Sequence, residues 1–312
     1  MRICSLVPGV TEIVAALGLA EQLVGISHEC DYPDSVRHVP VMIEPVVGKE
    51  PASSREIDGQ VKQLAAAGRR LYRLNENAFR RAQPDLILTQ DLCHVCAVTP
   101  DQLAEAVRSL PSEPLVLTFS PSSLTDVLND VKRVAQAVGR VDRGEAFVRS
   151  LKERLDRIAA RVSGRPRPRL ACLEWLDPLY VAGHWVPEMA ALAGGHDVLG
   201  VKHAPSRETT WQAVAAARPD ILAIMPCGYS VDRTIRELGQ ADGVRSQWSR
   251  AGHLGATLYA VDAASYFSRP GPRLVDGVEL LADILHPDPR RPLDPARAVT
   301  VEPAALAMES PT

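Results

Sequence analysis

The sequence predicts an α/β fold of two lobes with mostly parallel sheets, joined by a single long helix. Three observations predict it. Short apolar runs bounded by turn residues alternate with helix-period runs along most of the chain, as strand–helix–strand units do. The stretch Pro84-Asp85-Leu86-Ile87-Leu88-Thr89-Gln90-Asp91-Leu92-Cys93-His94-Val95-Cys96 has a counterpart in Pro219-Asp220-Ile221-Leu222-Ala223-Ile224-Met225-Pro226-Cys227-Gly228. Each comes after an Ala- and Arg-bearing helical run, opens with Pro-Asp, continues as a strand and ends at cysteine, so the two halves read as related. Between them, Phe147, Leu151, Leu155, Ile158 and Val162 recur at helical spacing in a strongly charged run from about Asp142 to Arg161. At about 1.5 Å per residue that helix is about 30 Å long, roughly the width of a small domain.

Taken in order, Arg2 to Leu6 reads as a strand. Pro8-Gly9-Val10 is a turn, with Thr11 as the N-cap of a helix carrying Val10, Ile13, Val14 and Leu17 and ended by Gly18. Leu23 to Ser27 is the second strand, and it runs into the polar loop His28-Glu29-Cys30-Asp31-Tyr32-Pro33. Met42 to Gly48 fits neither period. Ser54-Arg55-Glu56 reads as the capped start of a helix that runs to Ala67. After Leu86 to Gln90, a helix from Leu103 to Leu110 and a strand from Leu115 to Phe119 close the first lobe. Leu124, Val127, Leu128, Val131, Val134 and Val138 form one more helical stripe before the long helix, which stops at Ser163-Gly164-Arg165-Pro166-Arg167-Pro168.

The pattern then restarts. Leu170 to Leu173 matches the first strand, Trp185 to Gly195 the first helix, and Asp197 to His203 the second strand, with His203 placed like His28. Ser206-Arg207-Glu208 matches Ser54-Arg55-Glu56. Ala256 to Val261 is the closing strand, and Leu274, Val278, Leu281 and Leu285 mark a last helix. The expected division is 1–138 for the first α/β lobe, 139–165 for the linking helix, 166–286 for the second lobe, and 287–312 for a Pro-rich mobile tail.

The 312 residues, 46% hydrophobic and 23% charged, are enough for two separate cores. A formal net charge of -3 leaves no electrostatic footprint for nucleic acid or an anionic membrane. The most apolar N-terminal stretch, Ile3 to Ile26, is interrupted by Thr11, Glu12, Glu21 and Gln22, which argues against membrane insertion. Pro8 and Glu12 also break the pattern of a signal peptide, so a cytoplasmic location is expected. A sequence trimmed of its export signal reads the same way, and would be periplasmic or otherwise extracytoplasmic. No G-x-S-x-G, Walker A, G-x-G-x-x-G or H-E-x-x-H pattern is present. No catalytic residue is therefore named, and the chain reads as a binding protein rather than an enzyme.

In open parallel sheets, ligands sit beyond the carboxyl ends of the strands. Cys30, Cys93, Cys96, Cys172 and Cys227 are expected at such ends. A C-x-x-C pair can place Cys93 and Cys96 on one metal, and Cys172 and Cys227 could complete a tetrahedral set. Zinc or an iron–sulfur cluster would suit that set, with a redox, sensory or catalytic role. The competing reading makes most of the six cysteines small buried apolar residues, as Cys4 inside its strand already suggests.

Several segments carry a family resemblance. Ser5-Leu6-Val7-Pro8-Gly9-Val10-Thr11-Glu12, Ser27-His28-Glu29-Cys30-Asp31-Tyr32-Pro33, Asp91-Leu92-Cys93 and Val95-Cys96-Ala97-Val98 belong to it in the first half. Cys172-Leu173-Glu174-Trp175-Leu176-Asp177-Pro178, Gly183-His184-Trp185-Val186-Pro187, Met225-Pro226-Cys227-Gly228 and Tyr266-Phe267-Ser268-Arg269-Pro270-Gly271-Pro272-Arg273 belong to it in the second. Together with the two-lobe plan they resemble the substrate-binding proteins of ABC importers for cobalamin and iron-siderophores, above all a signal-less branch described as cobalamin-binding. The resemblance covers residues 1 to about 286. It implies Rossmann-like lobes of the class III periplasmic-binding type and a metal-containing cofactor, cobalamin or another corrinoid favoured, in the cleft between them. Implied walls are Trp175, Trp185, Tyr266 and Phe267, with Arg269 or His184 reaching carboxamides or propionates. His28, beside Cys30, either ligates the metal or simply hydrogen-bonds a carbonyl. A permease partner is implied only for an exported protein.

Overall fold

The computed structural model of the protein describes residues 1–46, 52–91, 100–108, 110–240, 244 and 248–302. In the first lobe, strands β1 (Ile3–Ser5), β2 (Leu23–Ser27), β3 (Val41–Pro45), β4 (Tyr72–Leu74), β5 (Leu86–Gln90) and β6 (Leu115–Phe119) form one sheet in the order β4-β3-β2-β1-β5-β6. Every neighbouring pair is parallel except β3 with β4. Side chains alternate across the pleat, and the sequence obeys that period. Ile3, Leu86 and Leu88 face a core shared with Val10, Ile13 and Leu17 around helix α1 (Pro8–Ala16). Cys4 and Ile87 face the opposite core, with Met42 and Phe79. Met42 to Pro45, from the stretch that fits neither period, belong to β3, which begins at Val41.

Thr11 is not an N-cap. Helix α1 begins earlier, with Pro8 in its first turn, where a missing N–H costs nothing. Thr11 is instead fully buried, its hydroxyl 2.8 Å from Ser5 Oγ and 3.2 Å from the Val7 carbonyl. Helix α2 (Ser54–Ala66) is capped one residue earlier than the sequence suggests, by Ser53 in a reciprocal box with Glu56. Helices α3 (Glu76–Ala82), α4 (Pro100–Arg108) and α5 (Leu124–Ala137) complete the lobe.

Helix α6 (Val141–Val162) has 22 residues and passes from one core to the other. Its Val148 and Leu151 are buried in the first lobe and Ile158 in the second, while Leu155 packs against both.

The second sheet comprises β7 (Arg169–Trp175), β8 (Tyr180–Val181), β9 (His196–Asp197), β10 (Arg207–Glu208), β11 (Ile221–Ile224), β12 (Thr257–Val261) and β13 (Ala298–Thr300). Its order is β10-β8-β7-β11-β12-β13, with β9 also pairing with β7. The helices are α7 (Val186–Leu192), α8 (Trp211–Ala217), α9 (Val231–Gln240), the short α10 (Ala263–Tyr266) and α11 (Leu274–Leu285). Arg154 bridges α6 to Asp276 and Glu279 of α11, and Arg161 reaches Asp283.

Three expectations for this half are corrected. Ser206-Arg207-Glu208 does not cap a helix: Arg207 and Glu208 pair antiparallel with β8, and Thr210 caps α8. The strand expected over 197–203 shrinks to β9, because Asp197 turns the chain by accepting the Leu199 and Gly200 N–H groups. The tail expected to be mobile supplies β13, antiparallel to β12, with Ala298 and Val301 buried. Covering the free edge of β12 satisfies backbone groups that would otherwise face water.

Both sheets share one topological feature that places the site. From β1 the chain winds outward through β2 and β3 on one side and returns as β5 and β6 on the other. From β7 it likewise goes to β8 and β10 on one side and to β11 and β12 on the other. The crevice of each lobe therefore opens beyond β1/β5 and β7/β11.

Candidate ligand cleft

The loops at the carboxyl ends of those strands line the two crevices. In the first lobe β5 ends at Gln90, and Asp91 begins the loop. Cys93 and Cys96 come next and lie outside the described residues. In the second lobe β7 ends at Trp175, and β11 leads into Met225-Pro226-Cys227-Gly228-Tyr229. Cys227 is exposed, and its backbone N–H donates to the Glu174 carbonyl at 3.0 Å. Trp175 stands edge-on to Tyr229 with ring centroids 5.6 Å apart, and the Arg233 guanidinium lies 3.8 Å from the Tyr229 ring centroid. Burial, together with the Glu237 charge, raises the pKa of Tyr229, so its hydroxyl stays neutral.

One turn of the first lobe is inserted against this wall. Ser54, the first residue of α2, is fully buried. Its N–H donates to Glu237 Oε1 at 2.6 Å, and its carbonyl accepts from the Trp175 indole at 3.2 Å. Arg233 donates to the Ala52 carbonyl at 3.4 Å, and Arg55 Nε meets Asp177 Oδ2 at 2.7 Å. Farther out, Lys62 pairs with Glu208 at 2.8 Å, and this pair together with Asp58 raises the Lys62 pKa. The Ser53–Glu56 capping box fixes the turn in the conformation that offers these backbone groups.

The other edge of the cleft is built differently. Gly9 and the Pro270–Gly271 peptide meet backbone to backbone, so a Cβ on Gly9 would strike the Pro270 carbonyl. Beside them Arg273 donates twice to Glu12 Oε1, at 3.0 and 2.7 Å, with side-chain exposures of 14% and 4%. Burial raises the Glu12 pKa despite Arg273. Arg269 forks onto Asp31, and Arg273 lies 4.2 Å from the Tyr32 ring centroid. Burial alone would raise the Asp31 pKa, but the hydrogen bond and charge of Arg269 leave it lowered. His28 Nδ1 sits 3.0 Å from the Ile43 carbonyl, and its ring leans on Tyr72.

The candidate residues thus divide. Trp175 and Arg269 make contacts across the lobes, whereas the contacts of His28 are with its own lobe. Trp185 and Phe267 do not line an open slot: both are buried in the second-lobe core, and the Trp185 indole donates to the Phe267 carbonyl at 2.8 Å. Tyr266 packs against that core from the side, and burial raises its pKa. His184 is half-buried, which lowers its pKa. Cys30 is buried against Thr11, and burial pushes its thiol up to about 11. Cys172 is buried in the middle of β7, and desolvation raises its pKa well above the ordinary range. A thiol held protonated is a poor ligand. Of the expected four-cysteine set, the two described members are not brought together: Cys172 faces a core while Cys227 faces solvent. Among the described residues no group of three or more His, Cys, Asp or Glu could hold a metal ion.

Tyr229, Arg233, Glu237 and the Ser54 turn are cleft residues that the sequence pattern does not reveal. Arg233 and Glu237 lie four apart on α9 and therefore share a face, but nothing in their spacing says what that face meets. A separate cavity of about 260 Å³ lies between the ends of α6 and α7, lined by Val162, Arg165, Arg167 and Leu192, away from both crevices.

Residues 3–247 match the family described as periplasmic binding protein. The chain is 25% identical over 301 residues to an uncharacterized ABC transporter substrate-binding lipoprotein, YvrC, of Bacillus subtilis (strain 168), covering 92% of this chain and 80% of that protein. It is 22% identical over 286 residues to a vitamin B12-binding protein of Vibrio parahaemolyticus, covering 89% of this chain and 86% of that one. A periplasmic heme-binding protein from Pseudomonas aeruginosa superimposes with a TM-score of 0.69 at 21% identity, over 96% of this chain and 97% of its own, a likeness of fold. No helix among the described residues is long and apolar enough to cross a membrane. The expected cytoplasmic location gains no support from relatives named as a lipoprotein and a periplasmic protein.

Proposed function

The chain belongs to the periplasmic binding protein family, and on that premise we propose that it is a substrate-binding protein holding a metal-containing tetrapyrrole, a corrinoid by preference, between its lobes. The observation that carries this reading is the set of contacts that strand-end and loop residues of the second lobe make with the first: the Trp175 indole and the Arg233 guanidinium meet the Ala52–Ser54 turn, and Arg269 meets Asp31. A planar macrocycle is bound by flat aromatic walls and a few placed polar groups. Trp175, with Tyr229 packed edge-on behind it, supplies the wall in the second lobe, and the exposed Tyr32 supplies it in the first. Arg269 and Arg233 would reach the ligand's polar rim. The protein's place is outside the cytoplasm, where a bound ligand can be handed to an ABC permease. The relatives named for vitamin B12 and heme support the ligand class.

Titration with cyanocobalamin and with haemin, monitored by absorbance and tryptophan fluorescence, tests it. One equivalent of cyanocobalamin is expected to bind, with quenching that Trp175→Phe reduces. Saturation with neither compound would end the tetrapyrrole reading. A bare-metal reading has weaker support, since the described thiols Cys30 and Cys172 are buried and protonated.

A further inference from the structure

The contacts of the Ser54 turn carry chemical information about what the second-lobe wall accepts. Trp175 Nε1 donates to the Ser54 carbonyl, and Glu237 accepts from the Ser54 N–H. Arg233 donates to a second backbone carbonyl, that of Ala52. The wall therefore grips an N–H and a C=O of uncharged peptide groups, using one carboxylate and two donors. One hydroxyl at the same place, Ser54 Oγ, is buried without a hydrogen-bond partner. A buried hydroxyl without a partner is destabilising, so the self-contact is an imperfect one.

We propose that Trp175, Glu237 and Arg233 form an amide-reading wall, occupied in this structure by the protein's own Ala52–Ser54 backbone, which takes a carboxamide of the ligand when that turn withdraws. The inference rests on the tetrapyrrole reading and narrows it. A primary carboxamide offers an N–H to the Glu237 carboxylate and a C=O to the Trp175 or Arg233 donors, the kinds of group that the turn supplies from three separate peptide groups. A carboxylate lacks the N–H and would face the Glu237 carboxylate with like charge. Corrinoids carry carboxamides around their rim, whereas haem carries propionate carboxylates. The wall thus selects an amide-bearing ligand over an acid-bearing one, and the Ser54 turn is an internal competitor for it.

A pair of variants that break the same hydrogen bond from opposite sides tests this. Glu237→Leu removes the reader. Ser54→Pro removes the competitor's N–H at the first position of α2, where proline fits, and Ser53 already has the extended φ of −65° and ψ of 160° that a proline after it requires. Cyanocobalamin affinity is expected to fall by about tenfold or more in Glu237→Leu, and to rise by a few-fold in Ser54→Pro. The carboxylate probe, cyanocobalamin with one rim amide hydrolysed to the acid, is expected to bind wild type about tenfold more weakly than cyanocobalamin itself. Circular dichroism of both variants checks that they are folded. A folded Glu237→Leu that keeps wild-type affinity, or a Ser54→Pro that loses affinity, overturns the wall and leaves the cleft reading standing. Haemin bound in preference to cyanocobalamin overturns the wall as well, with a tetrapyrrole ligand retained. Binding of neither compound by any variant overturns the ligand class and the wall together.

Discussion

The two edges of the cleft join the same two lobes by different physics. At the Gly9 edge, backbone meets backbone, and the Arg273–Glu12 pair is buried to 14% and 4% exposure. At the α2 edge, one helical turn is held by side chains reaching across, and the flanking Lys62–Glu208 pair is exposed to 55% and 54%. Breaking a buried pair strands a charge in a poor solvent and costs several kcal/mol. Breaking an exposed pair costs about 0–1 kcal/mol. The Gly9 edge is therefore the costlier of the two to separate and the α2 edge the cheaper.

The largest expected effect lies at the Gly9 edge. Arg273→Ala leaves Glu12 buried without its partner and should lower unfolding stability by about 3–5 kcal/mol in a urea melt. Gly9→Ala forces a Cβ into the Pro270 carbonyl and should cost about 1–3 kcal/mol. A loss near zero in either variant would mean that this edge is looser than these contacts imply.

Acid should act on the same edge in a defined direction. The lowered pKa of Asp31 makes its pairing with Arg269 stabilising above the unfolded value of about 3.9, and that contribution disappears as pH falls through the lower folded value. The stability difference between wild type and Asp31→Asn should be constant above about pH 5 and shrink below pH 4. With Asp31 at 44% exposure the contribution is under about 1 kcal/mol. The raised pKa of Glu12 has the opposite sign, so its charged form weakens the fold as pH rises, and this is common to both proteins being compared.

The smallest effects belong to the α2 edge. Lys62→Ala should change stability by no more than about 0.5 kcal/mol, and Glu208→Gln by about the same. Either variant losing as much as Arg273→Ala would reverse the comparison between the edges.

How much of this was legible in the residues differs between scaffold and site. Strand–helix alternation and the stripe from Phe147 to Val162 identify two sheets and the linking helix, because period-2 and period-3.6 patterns respond directly to burial. Local sequence misplaces Thr11, since a threonine after Pro-Gly fits a cap equally well until Ser5 and Val7 are seen to take its hydroxyl. Residues 298–300 look like tail because a three-residue strand has no period to detect. In the site, Trp175 is legible from its place at a strand end, while Trp185 and Phe267 at similar places turn inward. Glu237 is not legible at all: its partner is a backbone N–H 183 residues away, and no side-chain pattern records that. Cysteine spacing misleads for Cys30 and Cys172, because it carries no information on which face of a sheet a thiol takes.

On the proposal above, the ligand and the Ser54 turn compete for one wall. Hydrogen exchange of the first turn of α2, residues 53–58, with and without saturating cyanocobalamin, addresses it most directly. Faster exchange in that turn is expected when the ligand binds, with α6 unchanged. Slower exchange there on binding would show that the ligand locks the turn in place, and would contradict the competition.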